Sequence, residues 1–431
     1  MPIKTLHITN HYHPSSGGIR IFYQALLEAA DRHQREVCLV VPAEKDSMEN
    51  VGRFGRIYTI AAPKCPLFDS RYRLLLPHQY ALPYPSALRK ILQQERPDLV
   101  EVCDKFALSC VPSVLRRKWV KGVSPAVLVG LSCERLDDNV SAYISSGPLA
   151  RNIANWYVKN MYVTRFDCHI SNSDYTAGEL NEALAGHPGI QVHVRPMGVH
   201  CGGFSPARRT CSAREALLSR ISLAPRAAVV RRLLLYVGRL SPEKNIDVLM
   251  DTMEILAADS SSEYHLIFAG DGPRASWLKN AADLKAPGRI HLLGHIASRE
   301  DLANLYANCD ALVHPNPREP FGIAPLEAMA SGLPVVAPHA GGVLSYAHTG
   351  NAWLVRPEAA NFAAGVRDVF ADDAARAARI QQALRTAATF DWPQIAAIFF
   401  ELYDALHKRF RKMYDLIAQR APSEFYSSAC S

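Results

Sequence analysis

The stretch DALVHPNPREPFGIAPLEAMASGLPVVAPH, residues 310–339, sets the fold expectation for this chain. The runs at its two ends, DALVHPN and PVVAPH, predict β-strands because they are short, apolar and rich in β-branched residues. A helix is predicted to begin near Ile323 and to stop at Gly332, with Pro325 tolerated in its first turn. A strand, a helix and a second strand in this order predict a parallel βαβ unit.

The same alternation continues along most of the chain, so we predict an α/β protein with doubly wound parallel sheets. The predicted strands of the first half are KTLHITN, REVCLVVP, RIYTIAA, DLVEVCD, AVLVGL, CHISNS and IQVHVRP. Those of the second half are LLLYVGRL, YHLIFAGDG, IHLLGHI, DALVHPN, PVVAPH and NAWLV. Helical patterns such as residues 19–30 and 246–256 lie between the strands.

A stretch rich in Arg, Ser, Ala and Pro, FSPARRTCSAREALLSRISLAPRAAVVRR, interrupts this rhythm and predicts a domain boundary. We predict an N-terminal domain over residues 1–205, a linker over 206–232 and a C-terminal domain over 233–385. Residues 386–431 are predicted to form helices that pack back on the N-terminal domain, followed by a polar tail. Because ligands bind at the carboxyl ends of strands in open parallel sheets, a cleft between two such domains should hold the chemistry.

Composition limits the class of protein. The chain has 431 residues, of which 48% are hydrophobic and 21% charged, as in soluble globular proteins. Its net charge of +7 fits phosphate-bearing ligands or an anionic membrane surface, but no long basic run with aromatics predicts nucleic-acid binding. The ten cysteines contain no C-x-x-C pair and are expected to be reduced in a cytosolic protein.

The N-terminal sequence predicts no signal peptide, and the histidine pair in the first predicted loop predicts no metal site. The start MPIKTLHITN lacks a signal-peptide pattern, and no apolar run approaches the roughly 20 residues needed to cross a bilayer. His11 and His13 form an H-x-H, but no nearby Cys or carboxylate completes a metal set, so an ordinary loop is favoured. We therefore expect a soluble or peripheral protein without a metal site.

Two predicted βα loops carry groups suited to phosphate. In HYHPSSGGIR, Gly17 and Gly18 stand directly before a helix, where backbone N–H groups and the helix dipole favour an anion. An ordinary βα turn explains this loop equally well. In VGRLSPEKN, Arg239 and Lys244 follow a strand and could clamp a diphosphate. The alternative for this pair is two solvated surface charges.

The stretch quoted first also carries two carboxylates. Glu319 lies in the loop ahead of the predicted helix and Glu327 within the helix, so both can face one cleft. Carboxylates accept hydrogen bonds from the paired hydroxyls of a sugar or a ribose. The amides of Phe321, Gly322 and Ile323 at the helix start could donate to ligand oxygens. The alternative is a solvated loop charge and a helix-surface residue.

A competing motif is GDGPRA, residues 270–275, which matches G-x-G-x-x-A after a predicted strand. That pattern occurs in dinucleotide-binding folds. However, the next strand, IHLLGHI, does not end in the acidic residue that would hold a ribose, and the motif lies far from the first βα unit. Nicotinamide binding is therefore disfavoured.

Taken together, PSSGG, VGRLSPEKN, AGDGP and EPFGIAPLEAMASGLPVVA resemble, in order, the retaining GT-B glycosyltransferases that carry an E-x7-E motif. The resemblance covers both domains and is closer in the second. RPDLVEVCDKFAL and SCERLDD also look like the subgroup of lipid-acceptor mannosyltransferases, such as phosphatidylinositol mannosyltransferases. The resemblance implies two Rossmann-like domains facing across a cleft.

The resemblance also implies roles for the candidate residues. Gly17 and Gly18 would contact the donor diphosphate or sugar, and Arg239 and Lys244 would neutralise the diphosphate without a metal. Backbone from Gly294 to Ile296, which includes His295, would lie against the base.

In the same family picture, Glu319 would hold the hydroxyls of the transferred sugar, and Glu327 would hold the ribose. The amides of Phe321, Gly322 and Ile323 would complete the donor site. The acceptor would attack the face that the nucleoside diphosphate leaves, so that the anomeric configuration is retained.

Two positions depart from the family pattern. Where relatives have a His in an S-H-E-R-L-D context, this chain has Cys133, a weaker hydrogen-bond donor. Glu134, Arg135 or Asp137 could act in place of that His. Where relatives have G-V-D, this chain has His200, which affects an expected linker contact.

The sequence therefore predicts a cytosolic glycosyltransferase that uses a GDP- or UDP-hexose and a glycan or lipid-linked acceptor, with no further cofactor. The basic segments LRRKWVKG (115–122) and LHKRFRKMY (406–414) could hold it at an anionic membrane, or could be solvated helix faces. The alternatives are a nucleotide-sugar epimerase of GT-B shape and a binding module that has lost activity.

Overall fold

The computed structural model describes residues 3–13, 17–65, 72–81, 86–117, 123, 125–143, 147–223, 230–259 and 262–420. Part of the PSSGG loop, residues 118–122 of the first basic segment and the C-terminal tail therefore lie outside the described residues. Among the described residues, no helix has both the length and the apolarity of a membrane-spanning segment. Among the described residues, no two cysteines are joined by a disulfide bond.

The N-terminal domain is built on an eight-stranded sheet. Its strands, in chain order, are β1 (Lys4–Thr9), β2 (Glu36–Ala43), β3 (Ser47–Val51), β4 (Gly55–Ala61), β5 (Leu99–Cys103), β6 (Val127–Ser132), β7 (Cys168–Ser171) and β8 (Gln191–Val194). Their spatial order is β3-β4-β2-β1-β5-β6-β7-β8. All neighbours are parallel except β3, which pairs antiparallel with β4.

The C-terminal domain has a six-stranded parallel sheet. Its strands are β9 (Arg231–Val237), β10 (Glu263–Ala269), β11 (Ile290–Gly294), β12 (Ala311–Val313), β13 (Val335–Pro338) and β14 (Trp353–Val355). Their order is β11-β10-β9-β12-β13-β14, which is the doubly wound order of dinucleotide-binding folds. The central strands are buried on both faces, and their apolar residues therefore run continuously instead of alternating with polar ones.

Helices cover both sheets. Those up to residue 183 are α1 (Gly18–His33), α2 (Pro77–Tyr80), α3 (Ala87–Glu95), α4 (Val111–Arg116), α5 (Leu136–Tyr143), α6 (Pro148–Tyr157) and α7 (Asp174–Ala183). The later ones are α8 (Cys211–Arg220), α9 (Asp247–Ala257), α10 (Ala275–Lys285), α11 (Arg299–Asn308), α12 (Ile323–Ala330), α13 (Ala359–Ala371), α14 (Asp373–Ala388) and α15 (Trp392–Arg420). All thirteen strands predicted from the sequence are present in the described residues, and β3 is an additional strand that was not predicted.

The chain crosses between the domains at two neighbouring points. Backbone hydrogen bonds join the two crossings. Val199 N–H donates to the Phe390 carbonyl at 2.8 Å, and Trp392 N–H donates to the Val199 carbonyl at 3.0 Å. The Cys201 N–H donates to Asp391 Oδ1 at 3.1 Å. Asp391 thus supplies a carboxylate at the crossing between the domains. It lies next to His200, the residue that stands where the resembling sequences have the Asp of G-V-D.

Helix α15 lies on the N-terminal domain. Tyr403 OH donates to Glu101 Oε2 on β5 at 2.7 Å, and Phe399 packs against Phe22 of α1 with ring centroids 4.8 Å apart. The predicted linker contains α8, whose Arg214 pairs with Asp310 at 2.7 Å just before β12. Residues around α8 therefore pack with the C-terminal domain.

Candidate active site

The candidate site lies where the winding of the C-terminal sheet reverses. The chain proceeds from β9 outward to β10 and β11, and then returns to place β12 on the other side of β9. Because both strands are parallel, the loops that follow β9 and β12 leave the same edge of the sheet side by side. Such a switch point is where open α/β sheets bind ligands.

Two predicted site residues meet at this point. Lys244 ends a short 3₁₀ turn after β9, and Glu319 lies in the loop between β12 and α12. The Lys244 Nζ donates to both carboxylate oxygens of Glu319, at 3.1 Å to Oε1 and 2.8 Å to Oε2. Both side chains are largely buried, so neither is the solvated surface charge of the alternative interpretation.

Two further polar residues, which the sequence did not single out, complete the surroundings of Glu319. Asn316 Nδ2 donates to Glu319 Oε2 at 2.9 Å, and His314 Nε2 lies 3.5 Å from the same oxygen. Burial lowers the pKa of His314 to about 4, so its imidazole is neutral near pH 7. The position of His314 and Asn316 directly after a buried strand is the signal by which the sequence could have identified them as site residues.

Charge balance keeps this pair ionised. Burial raises the pKa of the Glu319 carboxyl, but the positive charge of Lys244, with His314 and the hydrogen bonds from Lys244 and Asn316, lowers it to about 2. Burial also lowers the pKa of Lys244, and the charge of Glu319 more than offsets this, so that the pKa is raised. The site therefore presents a carboxylate and an ammonium at neutral pH.

Arg239 lies in the same loop as Lys244, and its carbonyl accepts a hydrogen bond from Tyr236 OH at 3.0 Å. The glycines of GDGPRA bring the loop after β10 against this one. A Cβ on Gly270 would lie 1.8 Å from the Gly238 carbonyl oxygen, and one on Gly272 would lie 2.3 Å from the Leu240 oxygen. Close packing of two loops thus accounts for these glycines.

The start of α12 points its backbone toward the same edge. Gly322 has φ +88°, in the left-handed region that favours glycine, and no side chain caps this helix end. Its first-turn amides are therefore suited to bind ligand oxygens. The Phe321 side chain is buried against Tyr346, with ring centroids 5.2 Å apart, so only its backbone could contact a ligand.

Glu327 lies further along α12, apart from the Lys244–Glu319 pair. It is buried, accepts a hydrogen bond from Tyr306 OH at 3.0 Å and lies 3.8 Å from Arg299. Its interpretation as a helix-surface residue is wrong. Burial raises the pKa of Glu327 to about 7, although Arg299 and Tyr306 act in the opposite direction.

The N-terminal domain has a small cavity, with room for about one water molecule and a mostly apolar exposed lining, at its own switch point between β1 and β5. The residues that line it are His11, Ile19, Cys103, Asp104, Lys105, Leu131, Ser132, Cys133 and Glu134. His11 Nε2 lies 4.0 Å from Asp104 Oδ2, which also accepts a hydrogen bond from Asn10 at 3.0 Å. Cys133 therefore shares its cavity with an imidazole, which the sequence assigned only to an ordinary loop.

The three residues considered as substitutes at the Cys133 loop all have partners within the N-terminal domain. Arg135 donates to both oxygens of Asp137, at 3.0 and 2.8 Å. The carboxylate of Glu134 accepts a hydrogen bond from Asn139 at 2.8 Å. Lys105 is buried and pairs with Glu179. Of these groups, Lys105 and Glu134 line the cavity.

The two halves of the site meet across the domains. A Cβ on Gly18 would lie 3.0 Å from the Ile323 side chain at the start of α12. Arg318 Nη1 lies 3.7 Å from Asp138 Oδ1 of the N-terminal domain. The Gly17–Gly18 loop therefore faces the helix start that follows Glu319.

His295 lies apart from these contacts. It is exposed in the loop after β11, and β10 and β9 separate that strand from β12. Among the described residues, no three or more His, Cys, Asp or Glu side chains are grouped so that they could hold a metal ion.

Comparison with known proteins shows which families and folds this chain resembles. Residues 225–386 match the family described as "Glycosyl transferases group 1". The chain is 28% identical to a GDP-mannose-dependent alpha-(1-6)-phosphatidylinositol dimannoside mannosyltransferase of Mycobacterium tuberculosis, over 92% of this chain and 94% of that protein. It is 25% identical to a GDP-mannose-dependent alpha-mannosyltransferase of Corynebacterium glutamicum, over 81% of this chain and 75% of that protein.

Among solved structures, sucrose-phosphate synthase from Thermosynechococcus elongatus superposes with a TM-score of 0.74 at 21% identity, over 94% of this chain and all of that one. The fold is thus the GT-B architecture predicted from the sequence. Residues 225–386 form a glycosyl transferases group 1 domain, and the chain is a glycosyltransferase enzyme.

Proposed function

We propose that this chain transfers a hexose of the mannose or glucose type from a nucleoside diphosphate to an acceptor, with retention of anomeric configuration and without a metal. The observation that carries the proposal is the contact of Lys244 with Glu319 at the switch point. A cation for a diphosphate and a carboxylate for sugar hydroxyls lie within one hydrogen bond of each other there. An activated sugar carries both kinds of group, a diphosphate on its anomeric carbon and hydroxyls on its ring.

In the proposed reaction, the bond from the anomeric carbon to the diphosphate oxygen breaks and its electron pair stays on that oxygen. The acceptor oxygen bonds to the anomeric carbon on the same face, and its proton passes to the departing phosphate. Lys244 and Arg239 offset the negative charge on the leaving group. Glu319 holds the sugar hydroxyls and is not required as a nucleophile, because the acceptor oxygen attacks the anomeric carbon directly.

GDP-mannose is the first donor to test and a UDP-hexose the second, because the two mannosyltransferase relatives are named for GDP-mannose. For the nucleoside, Glu327 and the loop at His295 are the proposed contacts. A lipid-linked acceptor is favoured over a free glycan, because the Mycobacterium tuberculosis relative is named for a phosphatidylinositol dimannoside. We place the enzyme on the cytoplasmic side, peripherally at an anionic membrane.

The test combines a donor screen with an analysis of the product. Sugar nucleotides that raise the melting temperature are incubated with glycolipid and glycan acceptors, with and without a chelator. The expected result is transfer that survives the chelator and gives a product with the anomeric configuration of the donor, read from its one-bond carbon–proton coupling. Inversion, strict metal dependence, an isomerised sugar without acceptor, or tight binding without turnover would each contradict the proposal.

A further inference from the structure

The loop that carries Glu319 is held from both domains. We call residues 317–322 the Glu319 loop. The Glu319 carbonyl accepts a hydrogen bond from Gly342 N–H of its own domain at 2.7 Å. The neighbouring Pro320 carbonyl accepts one from Ser173 Oγ of the N-terminal domain at 2.5 Å. Ser173 and Pro320 are 147 residues apart in the chain, so only the contact between the domains brings them together.

The direction of the Ser173 hydroxyl follows from its place at the start of α7. Its oxygen caps this helix by accepting a hydrogen bond from Thr176 N–H at 3.1 Å. Capping uses a lone pair of the oxygen, so the hydroxyl proton remains to be donated. The Pro320 oxygen, at 2.5 Å, is a nearer acceptor than Thr176 Oγ1, at 3.0 Å. The side chain of Ser173 is fully buried, and the fold of the N-terminal domain therefore fixes this donor.

The Pro320 carbonyl has little room to move. A Cβ on Gly342 would lie 1.9 Å from the Pro320 oxygen, so this oxygen contacts backbone of its own domain as well as Ser173. Because the proline ring fixes φ at residue 320, its carbonyl moves less independently of Glu319 than that of another residue would. Without the bond from Ser173, the carbonyl must turn toward another donor or water. What holds this carbonyl therefore also constrains the backbone of Glu319.

A second contact from the same region of the N-terminal domain meets the Glu319 loop. Tyr175, two residues after Ser173, donates through its hydroxyl to Asp138. Asp138 Oδ1 lies 3.7 Å from Nη1 of Arg318, the residue before Glu319. The Arg318 side chain is 51% exposed, so water screens this pair, and we expect it to contribute less than the buried hydroxyl. Ser173 is therefore the contact to test.

We propose that Ser173 is a positioning residue that fixes the Glu319 loop for sugar transfer while the two domains are in contact, an inference that rests on the proposed function. In this role it acts through the Pro320 carbonyl and not on the substrates. Lys244 and Asn316 belong to the C-terminal domain and hold the Glu319 carboxylate from there. The bond from Ser173 adds the position of the loop backbone, on which the placement of the transferred sugar depends.

Hydrogen exchange followed by mass spectrometry separates positioning from simple helix capping. Loss of a cap alone should speed exchange within α7. Loss of a positioning contact should also speed exchange at Gly342 and in the Glu319 loop, both in the other domain. We expect Ser173→Ala to change both regions. Exchange of the Glu319 loop that is the same in Ser173→Ala and in the unmodified chain would overturn the proposal.

Ser86→Ala is the matched control. Ser86 is the N-cap of α3, accepts a hydrogen bond from Arg89 N–H at 3.3 Å and is buried in the same domain as Ser173. Its loss should therefore speed exchange in α3 and leave the Glu319 loop unchanged. If Ser86→Ala speeds exchange in the Glu319 loop as much as Ser173→Ala does, the effect is general destabilisation and the proposal is wrong.

A second substitution keeps the test valid if Ser173→Ala weakens α7. Glycine is nearly as favourable as serine at an N-cap, so Ser173→Gly should keep the helix while removing the hydroxyl. We expect it to speed exchange in the Glu319 loop with little change in melting temperature. A Glu319 loop that stays protected in Ser173→Gly would show that the bond to Pro320 does not position it.

Kinetics test the consequence for the reaction. Ser173→Ala and Ser173→Gly should lower kcat, with the donor identified by the screen, on the order of tenfold, because a misplaced sugar reacts slowly. Their affinity for GDP or UDP, measured by titration calorimetry, should be unchanged, since Ser173 is not part of the diphosphate contacts. Ser86→Ala should keep a normal kcat. Weakened nucleotide affinity with an unchanged kcat would overturn the proposal.

The outcomes separate this inference from the proposed function. If the unmodified chain binds no nucleotide and transfers no sugar while exchange of the Glu319 loop depends on Ser173, the proposed function fails and the positioning of the loop stands. If transfer occurs with retention but neither loop exchange nor kcat responds to Ser173, the proposed function stands and this inference fails.

Discussion

Lys244 and Glu319 are 75 residues apart in the chain, yet the Lys244 Nζ donates to both oxygens of the Glu319 carboxylate. In this structure each charge neutralises the other inside the cleft. A bound donor would divide the pair, with the diphosphate taking Lys244 and a sugar hydroxyl taking Glu319. The contact therefore keeps two buried charges compatible with the fold until the donor replaces it.

Replacing Lys244 with Met should weaken the binding of GDP or UDP, on the order of tenfold to a hundredfold, because a charge-assisted contact to the diphosphate is lost. Titration calorimetry measures the change. Lys279→Met, on the exposed face of α10, is the control and should bind normally. Equal affinity of the two variants would remove Lys244 from the donor site.

Replacing Glu319 with Gln should lower turnover on the order of a hundredfold while nucleoside diphosphate binding is kept, because the amide holds the sugar hydroxyls less strongly and Lys244 remains available. Steady-state kinetics with the donor identified by the screen provide the measurement. Glu49→Gln on the exposed strand β3 should leave the rate unchanged. An unaltered rate in Glu319→Gln would exclude this carboxylate from catalysis.

The low pKa of Glu319 also predicts a difference in acid stability. Its folded pKa of about 2 lies below the ordinary value of 4.5, so the carboxylate stabilises the fold above about pH 4.5 and that contribution is lost as pH falls toward 2. The unmodified chain should therefore lose more unfolding free energy over this range than Glu319→Gln. Denaturant titrations measure both, and parallel pH curves would contradict the prediction.

Glu327 predicts the opposite pH dependence. Its folded pKa of about 7 lies above the ordinary 4.5, so the folded state holds the proton more tightly and unfolding free energy falls as pH rises from 4.5 through 7. Glu327→Gln should remove this decline, since its amide does not ionise. Urea denaturation at about pH 5 and about pH 8 gives the comparison. A decline that persists in the variant would refute the prediction.

His11 should matter for transfer and not for donor binding. Its side chain lies with Cys133 at the carboxyl edge of the N-terminal sheet, and its Nε2 is 4.0 Å from Asp104 Oδ2, so an acceptor hydroxyl that approaches this edge would meet the imidazole. His11→Gln should lower the transfer rate about tenfold with unchanged nucleotide affinity. His187→Gln, in an exposed turn of the same domain, is the control. A normal transfer rate in His11→Gln would show that the acceptor lies elsewhere.

The strands could be predicted because most of them are buried runs whose apolar and β-branched residues carry a local signal. β3 could not. Its sequence, SMENV, is mostly polar and exposed, and it exists because its backbone pairs antiparallel with β4.

The residues of the candidate site could be proposed from the sequence, but the contacts between them could not. The motifs placed Lys244 and Glu319 after predicted strands, at loops suited to a ligand. They could not show that β12 returns to lie beside β9, or that His314 and Asn316 turn toward Glu319. Strand order depends on pairing between distant segments, which no short window of sequence contains.

By itself the sequence determined the alternation of strands and helices, the E-x7-E motif and the two basic residues of the β9 loop, since each is a property of neighbouring residues. Only the tertiary structure decided which charges meet, that Glu327 is buried beside Arg299, and that His11 shares a cavity with Cys133. The physical reason is that these contacts join segments far apart in the chain, which the order of the strands in the two sheets brings together.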